Sequence, residues 1–247
     1  MRVSSIGAHF GEERVLVGGY GSGTIFFAGC NLHCAFCQNW SISQLAEGEE
    51  VTDEALCGFM LELQGKGCHN INIVTPTHYT AHLASAMALA TERGLEIPLV
   101  YNCGGYENVE VLKMLDGIVD IYMPDIKYGS NEAAARYSSV PDYWDAVRRA
   151  VREMHRQVGD LHIGPDGLAR RGLLVRHLVL PHGIAASRAV IDFLADEISV
   201  NTYINVMDQY RPAWQAARYP ELMRRIEPRE WESVAEYAVS KGLRLAE

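Results

Sequence analysis

Short apolar, β-branched runs alternate along the chain with longer stretches in which apolar residues recur every three to four positions, the pattern of strands joined by helical crossovers. Six such runs stand out: Gly23 to Phe27, Asn70 to Thr75, Leu99 to Asn102, Val119 to Met123, Leu173 to Leu180 and Val200 to Val206. Thr52 is placed to cap a helix that Gly65 and Gly67 end. A second helix runs through Ala81, Met87 and Ala90 and stops at Gly94, and a short third spans Glu107 to Leu115. Longer helical patterns cover Tyr143 to Val158 and Ala185 to Ala195. Between Pro220 and Leu245, Trp231, Val234, Tyr237 and Ala238 lie at helical spacing, which predicts a C-terminal helix packed on the wall of the fold. Six strand-then-helix repeats, joined in one right-handed sense, predict an α/β fold built as a partial (β/α)6 TIM-like barrel of parallel strands; a doubly wound sheet is the competing layout. The stretches Gly18 to Gly23 and Gly159 to Gly172 read as loops, so residues 1–247 are expected to form a single domain.

Composition narrows the function classes. The 247 residues are 48% hydrophobic, and 22 Lys and Arg stand against 31 Asp and Glu, a formal charge of −9. That balance argues against a broad phosphate-binding surface and hence against nucleic acid as the main partner. No apolar run approaches the roughly 18 residues of a membrane span, and Met1 to Phe10 has no secretory apolar segment, so a cytoplasmic protein without a membrane partner is expected. The six cysteines are then better read as thiols than as a disulfide frame.

Three of those thiols, Cys30, Cys34 and Cys37, lie within eight residues at a C-x3-C-x2-C spacing directly after the first predicted strand. A cubic [4Fe–4S] cluster has four iron corners, so three thiolates leave one iron open to a ligand from outside the protein. An open metal position is the usual mark of chemistry. A zinc site completed by His33 or His69 is the alternative, although structural zinc usually takes paired two-cysteine knuckles and no second knuckle is present. Cys57, Cys68 and Cys103 each stand singly in apolar surroundings and are assigned no ligand role.

With Phe36 before the last cysteine, the loop resembles the signature of the radical S-adenosylmethionine superfamily, in which a three-cysteine loop follows the first strand of a partial barrel. The later motifs are most similar to the branch that contains pyruvate formate-lyase activating enzyme. The resemblance implies a [4Fe–4S] cluster on Cys30, Cys34 and Cys37, with S-adenosylmethionine on the open iron. It further implies reductive cleavage to methionine and a 5′-deoxyadenosyl radical, and hydrogen abstraction from a protein or peptide, as in activation of a glycyl radical enzyme. No eight-cysteine ferredoxin insert is present, so an external electron donor such as flavodoxin or ferredoxin is implied.

In such folds the site is built from the loops after the strands, and candidate residues gather there. Thr75 and Thr77 stand where the family often has Gly-Gly-Glu-Pro; the resemblance implies that their oxygens accept the amino-group protons of S-adenosylmethionine, and Thr77 reads equally as a helix N-cap. Asn102 opens Asn-Cys-Gly-Gly after the third strand. Asp125 and Lys127, two apart on an extended segment, point to one face, either into one cavity or into a simple salt bridge. Arg176 and His177 interrupt an apolar strand, so one of them faces inward or the strand bends; the family favours Arg176, near the cofactor carboxylate. His182 sits on a loop, and Asp208 and Gln209 are weaker candidates for the adenine side. Tyr79, His82 and Tyr106 are expected at the rim of the substrate entrance. Gly19-x-Gly21-x-Gly23 leads into a strand and so fails as a dinucleotide loop, while Glu47 to Glu50 reads as a solvated loop before the Thr52 cap. The rival readings are a radical enzyme acting on a small molecule, a non-catalytic zinc module, and a barrel enzyme for a phosphorylated substrate with incidental cysteines.

Overall fold

The computed structural model describes residues 1–246. The strands are β1 (Arg2–His9), β2 (Ser22–Phe27), β3 (Glu49–Glu50), β4 (Ile71–Val74), β5 (Leu99–Cys103), β6 (Ile121–Pro124), β7 (His162–Ile163), β8 (Ala169–Leu178), β9 (Tyr203–Met207) and β10 (Arg244–Leu245). The helices are α1 (Arg14–Val17), α2 (Trp40–Ser43), α3 (Asp53–Gly65), α4 (Thr80–Glu92), α5 (Val109–Lys113), α6 (Asn131–Ser138), α7 (Tyr143–Val158), α8 (Ser187–Phe193) and α9 (Pro228–Ser240). The sheet order is β10-β9-β8-β6-β5-β4-β2-β1-β3, with β7 paired to β8. Its six central strands, β2, β4, β5, β6, β8 and β9, are mutually parallel and correspond to the six apolar runs. The sheet is curved like a barrel but open, because β3 and β10 at its two ends do not pair.

The period of two along each strand sorts the residues into two cores. Ile25, Ile73, Tyr101, Tyr122, Val175 and Ile204 face the helices and pack with Leu56, Leu83, Val147 and Val190. Their alternates Val100, Ile121, Met123, Leu174 and Tyr203 turn into the barrel, whose floor is plugged by Val15 and Leu16 of α1. On the same inward files, one step nearer the C-terminal ends, stand Asn102, Asp125, Arg176 and Asn205, so the barrel is apolar below and polar above. Thr52 caps α3, accepting Ala55 N–H at 3.2 Å, and Gly67 follows its end with φ +87°.

Several elements differ from the sequence pattern. Arg2–His9 forms a strand antiparallel to β2, and Glu49 and Glu50, although exposed, pair with its start instead of lying in a free loop. The segment from 159 to 172 contains a hairpin: Gly164-Pro-Asp-Gly167 makes the turn, with Gly167 N–H donating to Gly164 O at 2.9 Å. The fifth run therefore begins at Ala169 and crosses Gly172, where φ is +125° and an added Cβ would collide with Asp160 O. The helix α6, capped by Ser130, was not signalled because Asn131–Ser138 carries little apolar periodicity. The C-terminal pattern stops at Ser240, after which Arg244–Leu245 adds a parallel strand to β9.

Candidate functional site

A cavity of about 290 Å³ opens at the C-terminal ends of the central strands. Cys30, Cys34, Phe36 and Cys37 line one side; Thr75, Asn102, Asp125, Lys127 and Arg176 line the other. Nine residues from five separated stretches of chain are thus brought together because each stretch leaves a strand at the same rim.

The cysteine loop is held from several directions. Gly29 N–H donates to Ile42 O at 2.8 Å with φ +90°, and an added Cβ would lie 3.0 Å from His78 Nε2. Asn31 Nδ2 donates to Tyr106 O at 2.7 Å, and Ala35 N–H to Tyr137 O at 2.7 Å. Phe36 is buried edge-on against Tyr128 and Tyr210, which anchors the middle of the loop. Ser138 Oγ donates to Cys34 Sγ at 3.0 Å, and Tyr128 OH lies 2.8 Å behind it. Cys37 Sγ meets Ser43 Oγ at 3.0 Å. Burial pushes the Cys34 thiol up, against the pull of Lys127 and Ser138, and pushes Cys30 up to about 11 against the Leu32 N–H. Both thiols hold their protons at neutral pH until a metal displaces them.

Opposite the loop is a charged network. Asp125 accepts Arg176 Nε at 2.7 Å and Lys127 Nζ at 2.8 Å. Burial alone would raise the Asp125 carboxyl, but the two cations outweigh it and hold it down to about 2. Arg176 also donates to Asn102 Oδ1 at 2.9 Å and to Glu12 Oε2 at 3.1 Å. The salt bridge and the shared cavity, alternatives in the sequence, are both realised. Tyr143 OH accepts Lys127 N–H at 2.9 Å and lies 2.9 and 3.0 Å from the Gly104 and Asp125 carbonyls, pinning the turn after β6. Thr75 has φ +59°, a strained conformation for a β-branched residue, and its N–H donates to Asn102 O at 2.8 Å.

Alternation decides between Arg176 and His177. Arg176 shares its file with Leu174 and faces the cavity, while His177 shares its file with Val175 and is fully buried on the helix side. There its ring bridges Ile126 O at 2.6 Å and Ser187 Oγ at 2.8 Å, and burial drives its pKa down to about 4, leaving a neutral structural imidazole.

Some expected residues lie elsewhere. Thr77 is outside this cavity and caps no helix: its Oγ1 donates to Glu107 Oε1 at 2.6 Å in a larger cavity of about 890 Å³ between α5 and α7, which the three loop cysteines do not line. Tyr106 lines that larger cavity, His82 pairs with Asp53 at 2.8 Å, and Tyr79 packs against Phe27, so the three form no rim to the cysteine cavity. His182 is exposed beside Arg224. Asp208 lines a neighbouring cleft, whereas Gln209 reaches the cavity, and its carbonyl accepts from Gln38 of the cysteine loop at 3.2 Å. His69 accepts the N–H groups of Gly19 and Tyr20 at 3.1 and 3.2 Å, and exposed His33 meets Gln44 at 3.0 Å; neither completes a set with the thiols. Among the described residues no three His, Cys, Asp or Glu side chains close on one ion.

Cys103 and Gly104 of the same turn line the cavity beside Asn102. Cys103 is tied to buried Glu107, whose carboxyl burial lifts to about 7 against bonds from Thr77, Tyr101 and Cys103. Glu12 was missed because it lies in the loop after a strand without a clear pattern, with no motif around it.

Residues 24–174 match the model of the Radical SAM superfamily, more than half of the chain. The chain belongs to the radical SAM superfamily. An uncharacterized protein of Methanocaldococcus jannaschii is 34% identical over 244 residues, covering 96% of this chain and 67% of that one. Among solved structures, the [FeFe]-hydrogenase maturase HydG of Carboxydothermus hydrogenoformans aligns with TM-score 0.58 at 11% identity, over 93% of this chain and 53% of that one. SuiB of Streptococcus suis, bound to S-adenosylmethionine, aligns with TM-score 0.54 at 11% identity, over 90% of this chain and 45% of that one. The chain spans about half the length of these two structures, and their likeness establishes the open parallel barrel. Radical SAM enzymes use a [4Fe–4S] cluster and S-adenosylmethionine and require an electron donor. No helix among the described residues is long and apolar enough to cross a membrane.

Proposed function

We propose that this radical SAM enzyme holds its cluster on Cys30, Cys34 and Cys37 and its S-adenosylmethionine on Thr75, Asn102, Asp125, Lys127 and Arg176, within a single domain. The observation that carries the reading is that three thiols of one loop and the Asp125, Lys127 and Arg176 network line the same cavity. A structural zinc ion needs a fourth protein ligand, and the two histidines that could supply it, His33 and His69, bond Gln44 and the N–H groups of Gly19 and Tyr20 instead, whereas three thiolates suffice for a cluster with one open iron. When bound and reduced, the cluster supplies the electron that cleaves S-adenosylmethionine to methionine and a 5′-deoxyadenosyl radical.

The protein's part is positioning. Arg176 has five N–H donors and spends three on Asp125, Asn102 and Glu12, and Lys127 spends one of three on Asp125, so both keep donors for a carboxylate. Asp125 aims the two cations and lowers the cost of burying them. The Thr75 hydroxyl makes no hydrogen bond among the described residues and is free to accept from an ammonium group. We assign hydrogen abstraction from a protein or peptide as the overall reaction, of the glycyl radical activase type, on the resemblance of the cysteine loop and the Asp125 and Lys127 pair to that branch. Flavodoxin or ferredoxin is the proposed electron source, since the remaining cysteines Cys57, Cys68 and Cys103 are buried.

The test is anaerobic reconstitution with iron and sulfide, reduction, and assay of 5′-deoxyadenosine from S-adenosylmethionine, beside a Cys30/Cys34/Cys37→Ala variant. Product from the wild type alone is the expected result. A wild type that binds zinc, takes up no cluster and releases no 5′-deoxyadenosine would refute the assignment.

A further inference from the structure

A second cleft, about 430 Å³, lies between the loop Gly11 to Arg14 and the C-terminal end of β9, and shares Arg176, Met207 and Gln209 with the cysteine cavity. A molecule seated in it therefore abuts whatever occupies that cavity. Glu13 lines this cleft and is only 7% exposed; its Oε1 accepts Asn205 Nδ2 at 2.8 Å, but its Oε2 is buried with no partner. A carboxylate oxygen stripped of water and left without a donor is costly, and native structures rarely leave one so.

No donor of the cleft reaches that oxygen. The Asn205 amide donates to Glu13 Oε1, the Trp231 indole N–H to Val206 O at 2.7 Å, and Arg176 to Asp125, Asn102 and Glu12. Arg14 is exposed at the rim and forms no ion pair among the described residues. The lining holds three carboxylates, Glu12, Glu13 and Asp208, and two guanidiniums, of which Arg176 is already neutralised by Asp125 and Glu12. The donor missing from Glu13 is thus best supplied by a guest that also brings positive charge.

We infer that this cleft is a substrate subsite for a protonated nitrogen group, an amine or a guanidinium, which Glu13 and Glu12 hold beside the cofactor cavity. The inference rests on the proposed function for calling the guest a substrate and names that substrate's recognised group.

The test is calorimetric titration of the anaerobically reconstituted protein with n-butylamine, n-butylguanidine and, as a neutral control of similar size, n-butanol, at pH 7.5 and low salt. The two cations are expected to bind at least tenfold more tightly than butanol, and the stronger of the two identifies the group. Glu13→Gln is expected to weaken cation binding at least tenfold. Asp208→Lys, at an exposed position of the lining, is expected to weaken it severalfold and keeps the test decisive if Glu13→Gln does not fold. Equal binding of butanol, or cation binding unchanged in both variants, would overturn the inference. The same wild-type preparation is assayed for 5′-deoxyadenosine. Product without selective cation binding removes the subsite and leaves the radical chemistry standing; selective cation binding without product does the reverse.

Discussion

Asp125→Asn keeps the shape of a side chain that two cations share and removes its charge. In the folded protein Asp125 accepts Arg176 Nε at 2.7 Å and Lys127 Nζ at 2.8 Å, and its carboxyl is held down to about 2 from an ordinary 3.8. At ~1.36 kcal/mol per pH decade, that interval corresponds to about 2 kcal/mol of stability at pH 7. The amide also turns an N–H toward one of the two cations, so about 2 kcal/mol is the lower bound, within the roughly 3–5 kcal/mol that follows breaking a buried pair. For a chain of this size the loss lowers the midpoint of thermal unfolding by about 4–8 °C or more. The sign with pH is definite. A depressed carboxyl contributes fully above its ordinary 3.8, and the contribution disappears as pH falls through about 2. Urea unfolding of wild type and variant at pH 7, 5, 3 and 2.5, at constant ionic strength, should therefore show a gap that is constant from pH 7 to 5 and narrows below 4. A gap under ~1 kcal/mol at pH 7, or one that does not narrow in acid, would show that Asp125 is not the keystone of the network.

Three further outcomes are expected. His177, driven down to about 4 by burial, takes up its proton in the unfolded chain first, so stability falls as pH drops from 6.5 toward 4, by up to about 3 kcal/mol; His177→Gln should flatten that stretch of the stability profile, and an unchanged slope would point to another group. Thr75→Gly relieves a left-handed φ of +59°, worth about 1–3 kcal/mol, against roughly 1 kcal/mol of added chain entropy; urea midpoints should show no loss or a small gain, while S-adenosylmethionine affinity drops if the hydroxyl binds the amino group. Trp40 and Trp214 stack at 4.9 Å and 14°, joining the segment after the cysteine loop to the segment after β9; Trp40→Ala should abolish a stacked-indole band in near-ultraviolet circular dichroism and cost about 1–2 kcal/mol, and retention of the band would place the stack elsewhere.

The apolar runs determined the six parallel strands because a strand buried on both faces must be apolar almost throughout, and that demand is written locally. The cysteine spacing likewise determined one loop of three thiols, since all three lie within eight residues. The same local logic failed for β1, whose half-exposed residues carry no strand pattern until they pair with β2, for the β7 and β8 hairpin, which is set where β8 joins the sheet between β6 and β9, and for α6, whose short buried side is covered by α7, the cysteine loop and Tyr219. Within the site, Asn102, Asp125, Lys127 and Arg176 were legible as polar residues at strand ends. Which of Arg176 and His177 faced the cavity was not, because a period of two leaves the phase open until the strand's register with β9 is set. Thr77 carried the same local signal as Thr75, yet one positive φ at Thr75 turns the chain so that Thr77 meets Glu107 in a different cavity. Glu12 and Glu13 had no signal at all: their chemistry arises where the loop that plugs the barrel meets Arg176 and Asn205, more than 160 residues away, and only the closed packing of the tertiary structure strips those carboxylates of water.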